Sequence, residues 1–555
     1  MAVVTLRRWL PALAFLSATG RAMAAPPGVG AAVGDNPTAI ALSGFFVLAT
    51  LAITVWATRR LRGPADFYVA GGNVGAMENG LAITGDTISG AIFLGLAALV
   101  YSDGFDGLIT AASVLIGWPL ILFLVAERLR NLGQYTLGDV LSVRLRPGAL
   151  RSLAAGTTLA ITACYLVAQL VGAGRLIALL FPDLGYSPAV LLVGALVLLC
   201  VALGGMLAAT WVQILKGMLL LGGASAVAFL VLTEFGFDAN ALFAAATAAH
   251  PRHDAIMAPA GIAADPVSAL SIGLSLVFGT IGLPHLLIRF FSVRNVREAR
   301  KSAFWATSFV GYFCGLSVII GFGAIALVQS DPHSLAVPGV LPAGNALAAL
   351  RLADAVGGPM LLGVIAAGAA VAVLGVASGL LLAGASALGH DLYAGLFARL
   401  RPIGLHEIGV TRAGAVVLGV AAIVLSLALP GIDVALLVEL AFALAASASF
   451  PVLLLAMHWR GLTTRGALLG GGAGLAAAVV LTILGPAVWV RLLGFAQPVF
   501  PWASPTLLSM PLGFAGCWIG SALDRSEAGI AESMAFDSQY IRAQTGIGAE
   551  GVQAG

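Results

Sequence analysis

Apolar residues fill most of this chain in long runs, and short polar segments separate the runs. The runs lie near 38–58, 79–100, 107–126, 152–181, 187–206, 211–234, 267–290, 303–328, 356–387, 413–429, 434–457, 466–487 and 505–523. Most hold about 20 residues, the length that an α-helix needs to cross roughly 30 Å of hydrocarbon. The pattern predicts an all-α polytopic membrane protein with about thirteen transmembrane helices.

The composition supports the membrane-protein class and limits the kinds of partner that the chain is expected to bind. Of the 555 residues, 60% are hydrophobic and 10% are charged, so a soluble chain of this kind would expose a continuous apolar surface. The formal net charge is only +3 and no basic block occurs, so we expect the lipid bilayer as a partner and no nucleic acid. The four cysteines lie inside apolar runs without metal-ligand spacing, and we expect no structural metal and no cofactor.

The arginines predict the orientation of the chain. Segments such as "RRLRGPADF" and "RFFSVRNVREARKS" alternate with segments almost free of Lys and Arg, such as "SDGFDG" and "ALPGID". By the positive-inside rule, the arginine-rich segments face the cytoplasm. Lys216, in span six, is expected to extend its amine toward that membrane surface.

The two ends of the chain are expected to lie outside the helix bundle. Residues 1–24 combine a positive start, a short apolar core and an Ala-x-Ala site, the pattern of a cleaved secretory signal peptide. Residues 25–37 would then be a short periplasmic N-terminus. The tail 524–555 is polar and glycine-rich, and we expect it to be cytoplasmic with no apolar pattern on which to fold.

Two spans contain residues that interrupt a helix. Span two has "AITGDTISG" around Asp86, and span seven, five spans later, has "GTIGLPHLL" with Gly282 and Pro284. Five is an odd number, so the second copy enters the membrane from the opposite side, as an inverted repeat requires. Broken helices in corresponding spans of two inverted repeats are where secondary transporters bind their cargo.

Asp86 is the main candidate for cation coupling. If the helix unwinds near residues 84–86, carbonyls such as that of Ile83 become cation ligands, and amides up to Ser89 can bind an anion. An intramembrane carboxylate is usually functional, although Asp86 would also be a good N-cap for the outer half-helix. His285, beside the second break, can carry a proton, and the alternative is a neutral ring bonded to a nearby carbonyl.

Many segments resemble the sodium:solute symporter family. They include "DFYVAGG", "NGLAITGDTISGAIFLG", "GWPLILFLVAERLRNLGQYTLGDV", "LVAQLVGAGRLI", "FGTIGLPHLLIRFF", "LAGASALGHDLY" and "QTGIGAE", and they are most similar to the branch of bacterial cation/acetate symporters. The resemblance implies a LeuT-like 5+5 inverted repeat with one helix before it and two after. The extra helix would be 38–58, the repeats 79–234 and 267–457, and the last two helices 466–523.

The resemblance also implies where the cargo binds, between the broken helices and spans four and eleven. Tyr165 and Gln169 lie four residues apart on span four and so share one face. Thr280 belongs to the second break, whereas the alternative for Ser447 and Ser449 is hydrogen bonding between packed spans. The expected substrate-binding residues are Ser89, Tyr165, Gln169, Thr280, Gly282, Ser447 and Ser449.

The cation site implied by the family departs from its pattern here. Many relatives have two adjacent hydroxyl residues on span nine, and this chain has Gly375 and Val376 at those positions. Ser378, three residues after Gly375, is the candidate replacement, and the full candidate coupling set is Ile83, Asp86, Ser378 and His285. Two missing oxygen ligands leave Na⁺ and H⁺ both open as the coupling ion.

These observations predict a transporter rather than an enzyme. The expected function is cation-coupled import of acetate or a similar short monocarboxylate at the bacterial inner membrane. The alternatives are another small solute, such as pyruvate, propionate or proline, and a solute-sensing membrane domain; a homo-oligomer is an alternative to a monomer. No Walker-type loop or H-E-x-x-H motif occurs in the sequence, so neither ATP hydrolysis nor metalloprotease chemistry is expected.

Overall fold

The computed structural model describes residues 37–259, 265–329, 347–394 and 405–547. The predicted signal peptide and nearly all of the predicted periplasmic N-terminus lie outside these ranges. Regular structure in the described residues is helical, apart from one isolated backbone bridge between Val74 and Val293. The all-α prediction is confirmed.

The described residues of the first half of the chain form ten α-helices. They are α1 Pro37–Arg60, α2 Pro64–Val69, α3 Ala76–Thr87, α4 Gly90–Asp103, α5 Phe105–Leu120, α6 Ala126–Leu132, α7 Leu137–Ser142, α8 Pro147–Leu180, α9 Tyr186–Glu234 and α10 Ala239–Ala249.

Eleven α-helices follow in the part of the second half that the structure describes. They are α11 Pro266–Gly282, α12 Pro284–Leu287, α13 Val296–Leu327, α14 Ala348–Ser386, α15 Leu405–Ala428, α16 Val434–Leu444, α17 Phe450–His458, α18 Thr464–Leu484, α19 Thr506–Leu523, α20 Glu527–Met534 and α21 Phe536–Thr545. A 3₁₀ turn, Ile288–Ser292, follows α12, and π-helical turns follow α5, α14 and α16.

The described residues contain ten helices long and apolar enough to cross a membrane, and twelve when each bent pair counts as one span. The longest, α9, has 49 residues and would be roughly 74 Å long, more than twice the thickness of the hydrocarbon core. Gly205 divides it with φ 54° and ψ −147°, a conformation that favours glycine. With α9 counted as two spans, the number is the thirteen that the sequence predicts.

The two predicted broken helices are confirmed. α3 and α4 meet at an angle of 58°, and α11 and the segment Pro284–Ser292 meet at 44°. The first break lies later than predicted, because α3 continues through Thr87 and the amide of Ile88 still bonds the Thr84 carbonyl at 2.8 Å. The prediction that the helix unwinds at residues 84–86 is therefore wrong.

Close backbone contacts, made possible by glycine, bring the central helices together. A Cβ atom at Gly85 would overlap the Gln213 carbonyl of α9, and one at Gly217 would lie 2.9 Å from the Leu81 carbonyl of α3. The glycines of the first break thus serve helix packing, as small residues do in membrane bundles. This packing holds Asp86 against α9.

The C-terminal tail folds, contrary to the sequence-based prediction. Helices α20 and α21 lie against the ends of the spans, where Arg144 donates hydrogen bonds to the Glu532 carbonyl at 3.2 Å and to the Gln539 side chain at 2.8 Å. Asn131 donates to the Ala543 carbonyl at 2.8 Å. The tail is held by hydrogen bonds to the bundle, which an apolar pattern does not reveal.

Candidate functional site

The first helix break forms the centre of the site. Ser89, between α3 and α4, accepts a hydrogen bond from the Ile92 amide at 3.1 Å and is the N-cap of α4. Asp86 lies in the last turn of α3, so the prediction that it caps the outer half-helix is wrong. Its carboxylate is free to interact with other helices.

The capping role of Ser89 can be tested by Ser89→Ala. Loss of a serine N-cap destabilises a helix by about 1 kcal/mol, and at this position the start of α4 also forms one wall of the break. We expect a lower thermal unfolding midpoint in detergent and a several-fold lower uptake rate.

Thr463, which caps α18 by accepting from the Gly466 amide at 3.3 Å, provides the matched control. Thr463→Ala should lower the unfolding midpoint by a similar amount and leave uptake near wild type. Equal effects of the two variants on uptake would show that Ser89 acts only through stability.

Asp86 forms a buried ion pair. Arg289, in the 3₁₀ turn after α12, donates from Nε to one carboxylate oxygen, and Gln213 of α9 donates from its amide to the other. Both charged side chains are fully buried. Arg289 also donates to the Thr210 hydroxyl at 3.3 Å, so the pair links α3, α9 and the second broken span. A buried charge of this kind is stable only when it is paired.

The oxygens predicted to bind a cation all take part in hydrogen bonds within the protein. The Ile83 carbonyl accepts from the Thr87 hydroxyl at 2.9 Å, and the Ser378 hydroxyl donates back to the Leu374 carbonyl at 2.8 Å. Both oxygens of Asp86 are engaged by Arg289 and Gln213. On α14 it is Gly379 that faces Asp86, since a Cβ there would lie 2.7 Å from a carboxylate oxygen. The geometry therefore gives no support to a metal site at these predicted ligands.

An aromatic group lies beside the charged pair. The rings of Tyr165 and His285 meet edge to face at 5.8 Å, and Phe442 of α16 is 5.9 Å from Tyr165. His285 is 2% exposed and its Nδ1 atom has no hydrogen-bond partner among the described residues. The Tyr165 hydroxyl also interacts with Ser89, which places three predicted site residues together at the first break.

Four predicted liners point elsewhere or pack closely. The Thr280 hydroxyl donates to the Leu276 carbonyl at 2.6 Å, and Ser447 shares a hydrogen bond of 2.7 Å with Ser509 of α19. The bond between Ser447 and Ser509 is the hydrogen bonding between packed spans that was the alternative to cargo binding for Ser447. Gly282 packs directly on the backbone at Ala445, and Ser449 lines a separate small cavity of about 20 Å³. Gln169 is buried on α8, one turn beyond Tyr165.

An apolar cavity of about 370 Å³ lies between α4, α5, α11 and α16. It extends from the break toward the ends of α4 and α5 that meet at Gly104. Phe442 contributes to this cavity and also contacts Tyr165, so it connects the cavity with the aromatic group. The side chains that line it include Ile92, Leu96, Val114, Leu276, Val438 and Phe442.

The opposite face of the bundle, which we call the arginine-rich face, is held by an ionic network. His390 contacts Glu407 through Nδ1 at 2.7 Å and Asp139 through Nε2 at 2.9 Å. A ring that donates both bonds carries both N–H protons. Arg151 bonds Asp139 at 2.8 Å, and the Thr136 hydroxyl bonds Asp391 at 2.7 Å.

Asp139, in the loop helix α7, stays ionised within this network. Burial alone would raise the pKa of its carboxyl, but the charge and hydrogen bond of His390, with the charge of Arg151, lower it to about 2. Asp139, His390 and Asp391 have ligand atoms within 4.8 Å of one another, as in a metal site. Each of these ligand groups already has a protein partner, so the cluster is explained by its ion pairs.

The sequence-based reasoning missed three central residues. Arg289 and Gln213 were not considered, and Lys216 was expected to extend toward the membrane surface. Lys216 is instead fully buried, 0% exposed, within electrostatic range of Asp86 and Arg289. Arg289 begins the segment "RFFSVRNVREARKS", which the charge pattern assigned to the cytoplasmic side, so no local signal indicated that it is buried in an ion pair.

Comparison with known proteins identifies the family. A model of the sodium:solute symporter family matches residues 67–474, which is most of the chain. The chain belongs to the sodium:solute symporter family. This symporter is therefore a membrane transporter and not an enzyme.

Three solved transporter structures resemble this chain, and the first one named shares its fold. A Na⁺-coupled sialic acid symporter in a substrate-bound outward-open state superposes with a TM-score of 0.69 at 17% identity, covering 88% of this chain and 98% of that one. Mhp1, a nucleobase-cation-symport-1 family transporter, gives 0.47 at 14% identity over 85% and 98% of the chains. A manganese transporter of Eremococcus coleocola gives 0.43 at 18% identity over 88% and 97%. The predicted LeuT-like fold class is confirmed.

Proposed function

We propose that this symporter imports acetate or a similar short-chain monocarboxylate together with a cation. Family membership supports coupled transport of a solute. The positive-inside rule supports a cytoplasmic position for the arginine-rich face, in the inner membrane of a bacterium. The acetate-branch motifs support the choice of cargo.

The charge balance at the helix break carries the proposal of an anionic cargo. One carboxylate, Asp86, faces two basic side chains, Arg289 and Lys216, and all three are fully buried. Asp86 and Arg289 compensate each other, so a charged Lys216 has no counter-ion among the described residues. A monocarboxylate bound near the break would supply the missing negative charge, as buried charges require.

The surroundings of the break favour a small cargo with an apolar part. The rings of Tyr165, His285 and Phe442 form a largely apolar wall, and the Nδ1 atom of His285 and the hydroxyl of Tyr165 are polar groups within it. The neighbouring cavity, which Phe442 also lines, is otherwise lined almost wholly by aliphatic side chains. One carboxylate and a short alkyl group match this combination.

The two faces of the bundle suggest how access alternates. The network of Asp139, His390 and Glu407 joins α7, α14 and α15 at the arginine-rich face. The apolar cavity lies on the other side of the break. We propose that cargo enters through the cavity, and that release requires separation of the network as the two helix bundles rock around the site.

Counterflow of labelled acetate in proteoliposomes tests the cargo. Vesicles loaded with unlabelled acetate should take up labelled acetate faster than protein-free vesicles, which control for diffusion of acetic acid. Excess external propionate should compete with the label, whereas proline and glucose should have almost no effect. Strong competition by proline or glucose and none by propionate would overturn the monocarboxylate assignment.

A further inference from the structure

Lys216 has no conventional explanation in this structure. It is one of two lysines in the chain, it is 0% exposed, and its Nζ atom has no hydrogen-bond partner among the described residues. The carboxylate of Asp86 is already paired with Arg289. A charged amine without a partner is strongly unfavourable inside a membrane, whereas a neutral amine is tolerated much better.

The position of the lysine side chain coincides with the loss of the expected hydroxyl ligands. A Cβ atom at Gly375 of α14 would lie 2.8 Å from the Cδ atom of Lys216 and 2.9 Å from the Cδ atom of Gln213. A serine or threonine at 375 would therefore collide with both side chains. The side chains of Lys216 and Gln213 thus occupy the space that a hydroxyl ligand at position 375 would need.

Charged groups face Lys216 from two sides. Asp86 of α3 and Arg289 after α12 are the charges that act on it, and His285 is a third titratable group within electrostatic range. From α14 it faces Gly375, which has no titratable group. With Asp86 and Arg289 paired, the empty site is neutral when the Lys216 amine is neutral. When a monoanion is bound, the site as a whole is neutral only if the Lys216 amine is protonated.

We propose that Lys216 carries the coupling proton of this symporter and takes the place of a bound metal cation. The inference rests on the proposed function, because the anionic cargo supplies the charge that stabilises the ammonium. A proton from water bonds to the amine lone pair as the anion binds, and returns to water when the anion leaves on the other side. No bond in the cargo is made or broken.

Two consequences follow from this arrangement. One proton and one monocarboxylate cross together, so transport is electroneutral and a pH gradient drives it without sodium. Each cycle also requires the amine to lose its proton, which an arginine at this position would not do. Lys216→Arg should therefore be as defective as Lys216→Met in gradient-driven uptake.

Proteoliposomes in sodium-free choline buffer test the proposal. We expect the initial rate of labelled acetate uptake, above that of protein-free vesicles, to rise at least about tenfold with an alkaline interior. Each unit of pH gradient can sustain about a tenfold cargo gradient at one proton per anion. An inward sodium gradient at equal pH should give no such increase.

Lys301 provides the matched control, because it is the other lysine of the chain and its side chain is 57% exposed. Lys301→Met should behave as wild type, whereas Lys216→Met should lose the pH-driven increase at least about tenfold. If Lys216→Met does not fold, the sodium-free experiment on the wild type decides. An absolute sodium requirement in the wild type would overturn the proposal.

A measurement without cargo separates failure of the coupling proposal from failure of the proposed function. Ligands that bind the native state raise the thermal unfolding midpoint. Sodium chloride should therefore raise the midpoint of the wild type no more than choline chloride does. A sodium-specific rise overturns the role of Lys216 whatever the cargo. Absence of acetate counterflow under either gradient overturns the cargo and, with it, this inference.

Discussion

The Asp86→Asn variant is expected to lose both stability and concentrative uptake. The substitution keeps the size of the side chain but leaves Arg289 buried without its negative partner. Removal of one member of a buried ion pair typically costs about 3–5 kcal/mol. Since the pair joins α3 to the second broken span, its loss should disturb both halves of the site. The thermal unfolding midpoint in detergent and acetate accumulation in proteoliposomes measure the two effects.

The double variant Asp86→Asn/Arg289→Gln identifies the cause. If the unpaired arginine is responsible for the instability, removal of its charge should restore most of the unfolding midpoint, and the two substitutions should be strongly non-additive. Uptake should remain low in the double variant, because the opposite charges that face Lys216 and the ion pair between α3 and the second broken span are both absent.

Asp103 and Arg252 form a partly exposed pair at 3.4 Å and provide the control. Asp103→Asn should change the midpoint little, because exposed ion pairs contribute only about 0–1 kcal/mol. A stable Asp86→Asn variant with full concentrative uptake would contradict the roles of Asp86 in stability and in coupling.

The Gly282→Ala variant is expected to disrupt the site by steric overlap. A Cβ atom at Gly282 would overlap the carbonyl oxygen of Ala445, and one at Gly279, a turn earlier, would lie 2.6 Å from the carbonyl oxygen of Phe442. The end of α11 thus lies directly against the backbone of span eleven. Overpacking of this kind typically costs about 1–3 kcal/mol, and displacement of α11 also moves the second break. We expect at least a tenfold loss of uptake.

Gly273→Ala, on the same helix, is the matched control. A Cβ atom there would meet the Ser113 hydroxyl at 3.5 Å, an ordinary contact. In an exposed helix the change from glycine to alanine is favourable by about 0.5–1 kcal/mol, so this variant should be at least as stable as the wild type. Normal uptake by Gly282→Ala would show that the contact between α11 and span eleven can relax without functional loss.

Several features of the site could be predicted because they depend on local sequence. Pro284 interrupts the hydrogen bonding of a regular helix, and glycines and a carboxylate are unfavourable inside an apolar helix, so both bent spans were visible as interruptions of an apolar run. The placement of Tyr165 near the break came instead from what the family resemblance implies about span four, and the structure brings it to His285 and Ser89. The roles of these residues in binding remain predictions.

Local patterns do not show which atoms are already bonded, and the structure supplies this information for three candidate residues. Asp86 has the sequence pattern of an N-cap, yet Ser89 takes that role three residues later. Ser378 has the hydroxyl that a cation needs, yet that hydroxyl bonds its own helix. The side chain of Ser447 is bonded to Ser509, which is 62 residues away in the chain. Hydrogen-bond partners of this kind are known only once the spans are packed.

The sequence by itself determined the membrane class, the number of spans and the location of the two broken helices. These properties follow from the length of apolar runs and from residues that interrupt helices, and both act over a few consecutive residues. Only the tertiary structure decided what the intramembrane charges do. Asp86, Lys216 and Arg289 are far apart in the sequence, and close helix packing at glycines brings them together. The same holds for the folded tail, whose partners are backbone carbonyls and side chains at the ends of distant spans.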